Sequence, residues 1–361
     1  MRSARPRDAP TPRRATSHVM SPHILIVTAP HDEPAKRVER ELKRRGADVS
    51  RFDLAAFPSA SHVSAAIDSK NEAIRVRLGE RCIDLGRLEA IWYRKPGAPT
   101  ASGRITDPAV RGLIESDCSD FLTSIWDLTE CRALPGRPSL MINMQRKAPQ
   151  LKRARALGFT VPPTLFTNDP REFLAFYRRH NGKIVSKITG AITMKHYVGE
   201  DFLRFTEPVL TRDVAYASSV AHCPIIFQAY VPKRLELRIT VVGIQVFACE
   251  IHSQATHRTA HDYRHYDLGS TPHGVHALPE NEARRCVRMV RELGLLYGAI
   301  DMIVTPEGEY VFLEINPSGE YGWIEDLTHM PISAAIADVL LGRDQPARPL
   351  EPATCVEKPY A

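Results

Sequence analysis

Three oxygen-bearing side chains, Asp301, Glu314 and Asn316, interrupt a stretch that is otherwise largely apolar, Ala299-Ile-Asp-Met-Ile-Val-Thr-Pro-Glu-Gly-Glu-Tyr-Val-Phe-Leu-Glu-Ile-Asn-Pro317. The two apolar runs flank Glu307-Gly308, which reads as the two-residue turn of a β-hairpin. In that register Asp301 lies directly opposite Glu314 with both side chains on one face, and Asn316 shares the face by the strand's period of two. A bulged three-residue turn at 306–308 would shift this pairing. Two carboxylates and an amide oxygen are hard ligands of the kind Mg²⁺ takes, completing its shell with water and phosphate oxygens. The competing reading, polar residues on the wet face of an amphipathic hairpin, fits Glu307 and Glu309 beside the turn. It does not fit Glu314 and Asn316, because Val311-Phe-Leu-Glu-Ile-Asn is otherwise apolar on both faces and polar groups buried in such a strand need partners.

A scaffold must hold that hairpin. Residues 23–28 form a short apolar strand, Asp32 caps a helix with Pro34 in its first turn, and Gly46 stops it before extended text at 47–54. This β-α-β opening predicts an α/β domain of the doubly wound kind. The turn after the first strand, Ala29-Pro30-His31-Asp32, has neither G-x-G-x-x-G nor a Walker A motif, so a nicotinamide or P-loop site is not expected there. A small hairpin around Gly79 (74–78 with 82–85), a strand at 88–93 and helical text at 110–128 follow. A second unit is expected to start near Met141, with a basic helix at 143–157, a helix at 169–179, and strands at 183–187 and 225–231. A third has strands at 235–242 and 245–252, a polar loop, and a helix at 281–293 with Ala283, Val287, Val290 and Leu293 at helical spacing. The 299–304 and 310–316 hairpin and a last helix at 331–341 complete it. The expected boundaries are a tail at 1–22, domains at 23–140, 141–234 and 235–345, and a second tail at 346–361.

The 361 residues are 43% hydrophobic and 25% charged, an ordinary globular composition that rules out collagen, coiled coil and a wholly disordered chain. The net charge of +6 is concentrated at one end: residues 1–22 hold Arg2, Arg5, Arg7, Arg13 and Arg14 against Asp8 alone. With four prolines and few large apolar groups, that segment reads as a disordered tail or as residues upstream of a start at Met20; a transit peptide and a nucleic-acid arm are the other readings. The remainder is nearly neutral, so no nucleic-acid partner is expected, and without a long apolar run no membrane span is expected either. Seven scattered cysteines without a C-x-x-C pair fit a reducing, cytoplasmic setting.

Asp301 followed by Glu314-Ile-Asn316 resembles the magnesium motif of the ATP-grasp ligases. The resemblance implies two phosphate-binding lysines, Lys147 in Asn143-Met-Gln-Arg-Lys147 and Lys187 in Lys183-Ile-Val-Ser-Lys187. In the hinge Phe227-Gln-Ala-Tyr-Val-Pro-Lys-Arg-Leu-Glu-Leu-Arg238 it implies Gln228, Tyr230 and Val231 beside the adenine, Glu236 on the ribose hydroxyls and Arg238 towards phosphate. Gln228 departs from the acid many relatives carry, and Ile188 from the proline common after the second lysine.

A closer resemblance, over residues 23–342, is to the graspetide (microviridin-type) peptide ligases. It rests on Trp92-Tyr-Arg-Lys-Pro96, Glu236-Leu-Arg-Ile-Thr-Val-Val-Gly243, Glu250-Ile-His-Ser-Gln254, Asp262-Tyr-Arg264, Gly298-Ala-Ile-Asp-Met302 and the run 309–317. It implies an ATP-grasp fold with an N-terminal Rossmann-like pre-ATP-grasp domain, a central domain and a C-terminal domain. It also implies ATP and Mg²⁺ as cofactors, a homodimer, and a ribosomal precursor peptide of leader and core as partner, its leader near 235–265. The implied reaction activates Asp or Glu as an acyl phosphate and joins it to a Thr or Ser hydroxyl or a Lys amine. Arg264, held by Asp262, is the candidate for steadying the acyl phosphate. A carboxylate–amine ligase for a free amino acid or protein C-terminus, and a non-catalytic nucleotide-binding protein, are the alternatives.

Six of the 14 histidines fall between 252 and 276, and His257, His261 and His265 are spaced as one helix face would need for zinc. Glycine, proline and threonine around them favour a polar substrate-facing loop instead. Lys195-His196, between Gly190 and Gly199, reads as a loop over the nucleotide or an ordinary surface turn.

Overall fold

In β1 (His23–Thr28) every residue after the first is buried, as expected of a strand covered on both faces. Helix α1 (Glu33–Arg44) follows, capped by Asp32, whose Oδ1 accepts from the Ala35 N–H at 3.3 Å, and β2 (Asp48–Phe52) returns beside β1. Then come β3 (Ser61–Ile67), β4 (Glu72–Leu78), β5 (Arg81–Asp84), β6 (Ala90–Lys95), α2 (Pro108–Leu128) and β7 (Arg132–Leu134). The order β2-β1-β6-β7 is parallel throughout, while β3-β4-β5 form a separate antiparallel sheet. Strand β3, rich in small residues, carried no sequence signal. The computed structural model describes residues 21–144, 146–188, 193–195, 201–203, 206–255 and 271–343.

The expected basic helix at 143–157 is two helices, α3 (Pro138–Met144) and α4 (Lys147–Ala156), with Arg146 extended between them. Pro149 is the reason: inside one continuous helix its ring would clash with the preceding turn, whereas the first turn of a new helix tolerates it. After α4 come β8 (Thr164–Thr167), α5 (Pro170–Arg179), β9 (Ile184–Lys187), β10 (Thr193–Lys195), β11 (Asp201–Leu203), β12 (Glu207–Pro208), α6 (Thr211–Val214) and β13 (Ile225–Ala229). Strands β12-β9-β13-β8 form an antiparallel sheet, whose Phe227 stacks on Phe173 of α5 with ring centroids 4.4 Å apart.

The last part holds β14 (Leu235–Val242), β15 (Gln245–Ile251), β16 (His273–Val275), α7 (Glu280–Glu292), β17 (Tyr297–Val304), β18 (Tyr310–Asn316), α8 (Gly322–Thr328) and α9 (Ile332–Leu340). Its antiparallel sheet runs β16-β15-β14-β17-β18. Helix α7 buries Glu282, Cys286, Met289 and Val290, so its inward face is turned one position from the expected Ala283 and Val287, both half-buried. Leu235, Leu237, Ile239 and Val241 share a core with Cys286, Met289 and Val290, which leaves Glu236 and Arg238 on the opposite side of β14. Ile332, Ala335, Ile336 and Val339 of α9 join a core with Ile24, Ile26, Val38 and Leu42, so the last helix packs on the first sheet. Among the described residues no helix is long and apolar enough to cross a membrane.

Candidate active site

The β17–β18 hairpin keeps the expected pairing where it matters, by a different route. Thr305 and Glu309 close a three-residue loop: the Glu309 carbonyl accepts from Thr305 N–H and the Thr305 carbonyl from Gly308 N–H, each at 2.9 Å. Gly308 has φ +87°, a conformation that favours glycine, so the two-residue turn at Glu307-Gly308 is corrected. Near the loop the pairs are Met302 with Phe312, Ile303 with Val311 and Val304 with Tyr310. Leu313 is then an extra residue, a bulge that offsets the longer loop and restores Asp301 opposite Glu314 and Ala299 opposite Asn316. The bulge also brings two successive side chains, Leu313 and Glu314, to the cleft.

Asp301, Glu314 and Asn316 come together: the Asn316 amide nitrogen lies 3.3 Å from an Asp301 oxygen and 3.4 Å from a Glu314 oxygen. Gln150 of α4 anchors this end of β18. Its amide oxygen accepts from Ile315 N–H at 3.1 Å, and its amide nitrogen donates to the carbonyls of Ile315 at 2.8 Å and Met144 at 2.6 Å. That buried glutamine performs the pairing a further strand would otherwise supply, and its helix presents Lys147, whose Nζ lies 3.1 Å from Glu314. Sequence reasoning passed over Gln150; its only signal was a polar residue between apolar helix positions.

Arg238 pairs across the sheet with Asp301 and donates from Nη1 to both carboxylate oxygens at 2.9 Å. Expected towards phosphate, it contacts the carboxylate of Asp301 directly. Gly319 makes room for it, since a Cβ there would lie 2.5 Å from Arg238 Nη2 and 2.4 Å from the Ala299 Cβ.

Asp301, Glu314 and Lys147 stand on one wall of a cleft whose other wall is built from β9 and β13. Lys147, Lys187, Gln228, Tyr230, Val231, Glu236, Asp301 and Glu314 all line it, with Val185, Ile303 and Leu313 supplying apolar surface. The mixed lining, two lysines and two carboxylates beside apolar surface, suits a nucleotide with its charged phosphates. Lys187 Nζ donates to Gln228 Oε1 at 2.7 Å, and Gln228 Nε2 donates to Thr164 Oγ1 at 2.9 Å. Gln228, read as a base contact, lines the cleft and also positions Lys187. Glu236 accepts from Lys233 Nζ at 2.8 Å. Lys233 and Thr206 also line the cleft and were not anticipated: Lys233 stands in the hinge run but was given no role there, and Thr206 stands in no motif.

Beside this wall, Glu320 binds Arg94 Nη2 and Lys95 Nζ, each at 2.6 Å, and its backbone carbonyl lies 3.5 Å from Arg238 Nη2. Burial works against charge on Glu320, but Arg94 and Lys95 overcome it and hold its carboxyl below the usual carboxylate range. Arg94 lies over the Tyr321 ring, 5.3 Å from its centroid, and burial pushes the Tyr297 phenol up to about 12.

His276 and His252 both bind Glu250, at 3.0 and 3.1 Å. His257, His261, His265, Asp262 and Arg264 lie outside the described residues, as do His196, Gly190 and Gly199. Among the described residues no group of three His, Cys, Asp or Glu side chains is placed to hold a metal ion. The oxygen donors of Asp301, Glu314 and Asn316 fit a hard cation such as Mg²⁺.

Comparison with known proteins agrees with this geometry. Residues 23–131 match the family model of the MvdD pre-ATP grasp domain. No curated protein matches the chain significantly. Among solved structures, a RiPP-associated ATP-grasp ligase of Chryseobacterium gregarium, in complex with ADP and a leader and core peptide, is 29% identical with a TM-score of 0.83. That likeness covers 90% of this chain and 98% of that one. Two macrocyclases of Microcystis aeruginosa MRC are similar over 89% of this chain and 99% of theirs. MdnC, bound with precursor peptide MdnA, is 30% identical with a TM-score of 0.79, and MdnB is 31% identical with a TM-score of 0.72. With two carboxylates, an amide and two lysines gathered on one cleft and this likeness along nearly the whole chain, the protein belongs to the graspetide-type ATP-grasp ligases.

Proposed function

We propose that this chain is an ATP-dependent macrocyclase of a ribosomally made precursor peptide, working in the cytoplasm. The observation that carries the reading is the convergence of Asp301, Glu314, Lys147 and Lys187 on a single cleft, with Asn316 in contact with both carboxylates. It occurs in a chain 30% identical to a macrocyclase bound with its precursor peptide. The six described cysteines are all free, which suits a reducing compartment.

The chemistry follows from the residue types. A free carboxylate is a poor acyl donor, so an Asp or Glu side chain of the peptide first attacks the γ-phosphorus of ATP, releasing ADP and leaving an acyl phosphate. A Thr or Ser hydroxyl, or a Lys amine, then attacks the acyl carbon; phosphate leaves with the proton, and an ester or amide remains. Each link removes one water overall. Lys147 and Lys187 screen the triphosphate, and Glu236 is assigned to the ribose hydroxyls. Asp301, Glu314 and Asn316 would hold Mg²⁺, which supplies charge neutralisation at the transferring phosphoryl group. Arg238 holds the Asp301 carboxylate in position, and Arg264 is assigned to the acyl phosphate. The domain limits at 140 and 234 set the cleft between the second and third units.

Incubation with ATP and the precursor encoded beside this chain's own gene is expected to remove one water per link, read by mass spectrometry. Conversion of a free amino acid or a protein C-terminus without any leader would favour the carboxylate–amine ligase reading instead. No turnover of ATP with any acid would leave only a nucleotide-binding protein.

A further inference from the structure

The parallel order β2-β1-β6-β7 has a switch point between β1 and β6, because the chain leaves β1 towards β2 and β6 towards β7, in opposite directions. In open α/β sheets the crevice outside the carboxyl ends of two such strands is where ligands bind. Here it is lined by Asp32 after β1 and by Arg94 and Lys95 at the end of β6, and a carboxylate already sits in it. Glu320, from the loop that follows the metal-motif strand, receives Arg94 Nη2 and Lys95 Nζ at 2.6 Å each. The two cations differ sharply. Arg94 has a side chain only 3% exposed and is also tied to Asp32, with Nε 3.5 Å from Oδ2, whereas the Lys95 side chain is 54% exposed. Lys95 carries three donors, and its ammonium is a mobile point charge on a flexible stem. The crevice adjoins the reaction centre, since the Arg238 guanidinium touches Asp301 through Nη1 and the Glu320 carbonyl through Nη2.

We infer that Lys95 is a specificity-determining residue that receives the acidic side chain of the peptide before activation, and that Glu320 occupies the place and competes for the same ammonium. The inference rests on the macrocyclase reading and adds to it where the acid is selected. An amide offers the ammonium only a neutral acceptor, so Lys95 discriminates Asp and Glu from Asn and Gln at the step of binding.

The test uses the full chain with ADP and two fluorescent peptides: the precursor encoded beside its gene, and the same peptide with Asn or Gln at every core Asp and Glu. Wild type is expected to bind the acidic peptide about tenfold more tightly than the amide one. Lys95→Met should reduce that ratio to about twofold or less, Lys95→Arg should keep most of it, and Glu320→Gln should widen it. Nucleotide affinity should stay within about twofold of wild type in each variant. A role confined to folding would weaken both peptides alike and leave the ratio in place, and an unchanged ratio in Lys95→Met overturns the inference. Failure of wild type to dehydrate the acidic peptide with ATP overturns the macrocyclase reading itself, and the inference with it.

Discussion

The two walls of the cleft are built on different terms. On the C-terminal wall, polar groups project from the neighbouring strands β14, β17 and β18 and from the start of α4, and are tied to each other: Arg238 to Asp301, Lys147 to Glu314, Asn316 to both carboxylates. Glu236, Arg238 and Asp301 are nearly fully buried there, on strands whose other faces pack a large apolar core. On the central wall a single lysine, Lys187, is held by a chain of amide and hydroxyl, Gln228 and Thr164, on a sheet of two- to five-residue strands. A dense array of charges needs a rigid backing, because each unpaired group would be costly to bury. A cation that meets a flexible triphosphate needs only one or two restraints. In the proposed reaction, that makes the C-terminal wall the one that positions the reacting phosphoryl group and the central wall the one that grips the nucleotide.

That contrast can be broken in order of expected effect. Glu314→Gln removes a metal ligand and the partner of Lys147, so peptide dehydration should fall about 100-fold or more, with nucleotide-free thermal stability close to wild type. Full activity in this variant would remove Glu314 from the metal site. Gly319→Ala forces a methyl against Arg238 and Ala299 and should destabilise the protein by about 1–3 kcal/mol, read as a lower Tm and a matching loss of kcat. On the opposite wall, Gln228→Leu leaves Lys187 without its amide acceptor. It is expected to raise KM for ATP about tenfold while changing kcat by about twofold or less, the reverse of the Glu314→Gln pattern.

The smallest effect concerns pH. Glu320 has a folded-state pKa held below its unfolded value, so its contribution to stability is fully present above the unfolded carboxyl range, near pH 4–5, and fades as pH falls through the lower folded value. Glu320→Gln should therefore lower Tm by a constant amount at pH 7–8, where the charged Glu320 contributes fully, and the two curves should converge as pH falls below about 4.5. A parallel shift at every pH would show that Arg94 and Lys95 do not depend on the charge of Glu320.

Much of the site was legible because chemistry-bearing residues stand out against an apolar background: Asp301, Glu314 and Asn316 are polar where a buried strand has no use for polarity. Lys147 and Lys187 became legible through their order relative to that motif. Gln150, Lys233 and the Glu320 cluster were not, because a polar residue on a helix or in a turn looks the same whether it faces water or a partner far along the chain. The one-position rotation of α7 escaped for a related reason: Glu282 is a charged residue on an inward face. The break before Lys147 was visible in Pro149, but its consequence, a lysine delivered from the first turn of α4, needed the fold.

By itself the sequence determined the α/β opening, the hairpin, the oxygen-bearing side chains set in it and the near-neutrality of the chain beyond its arginine-rich first residues, since periodicity, turn chemistry and charge are local properties. Only the tertiary structure decided that a bulge at Leu313 compensates a longer turn, that Arg238 meets Asp301, and that the last helix packs on the first sheet. Those outcomes rest on which strand lies beside which, and pairings between residues far apart in the chain are settled by packing the whole core, not by any one segment.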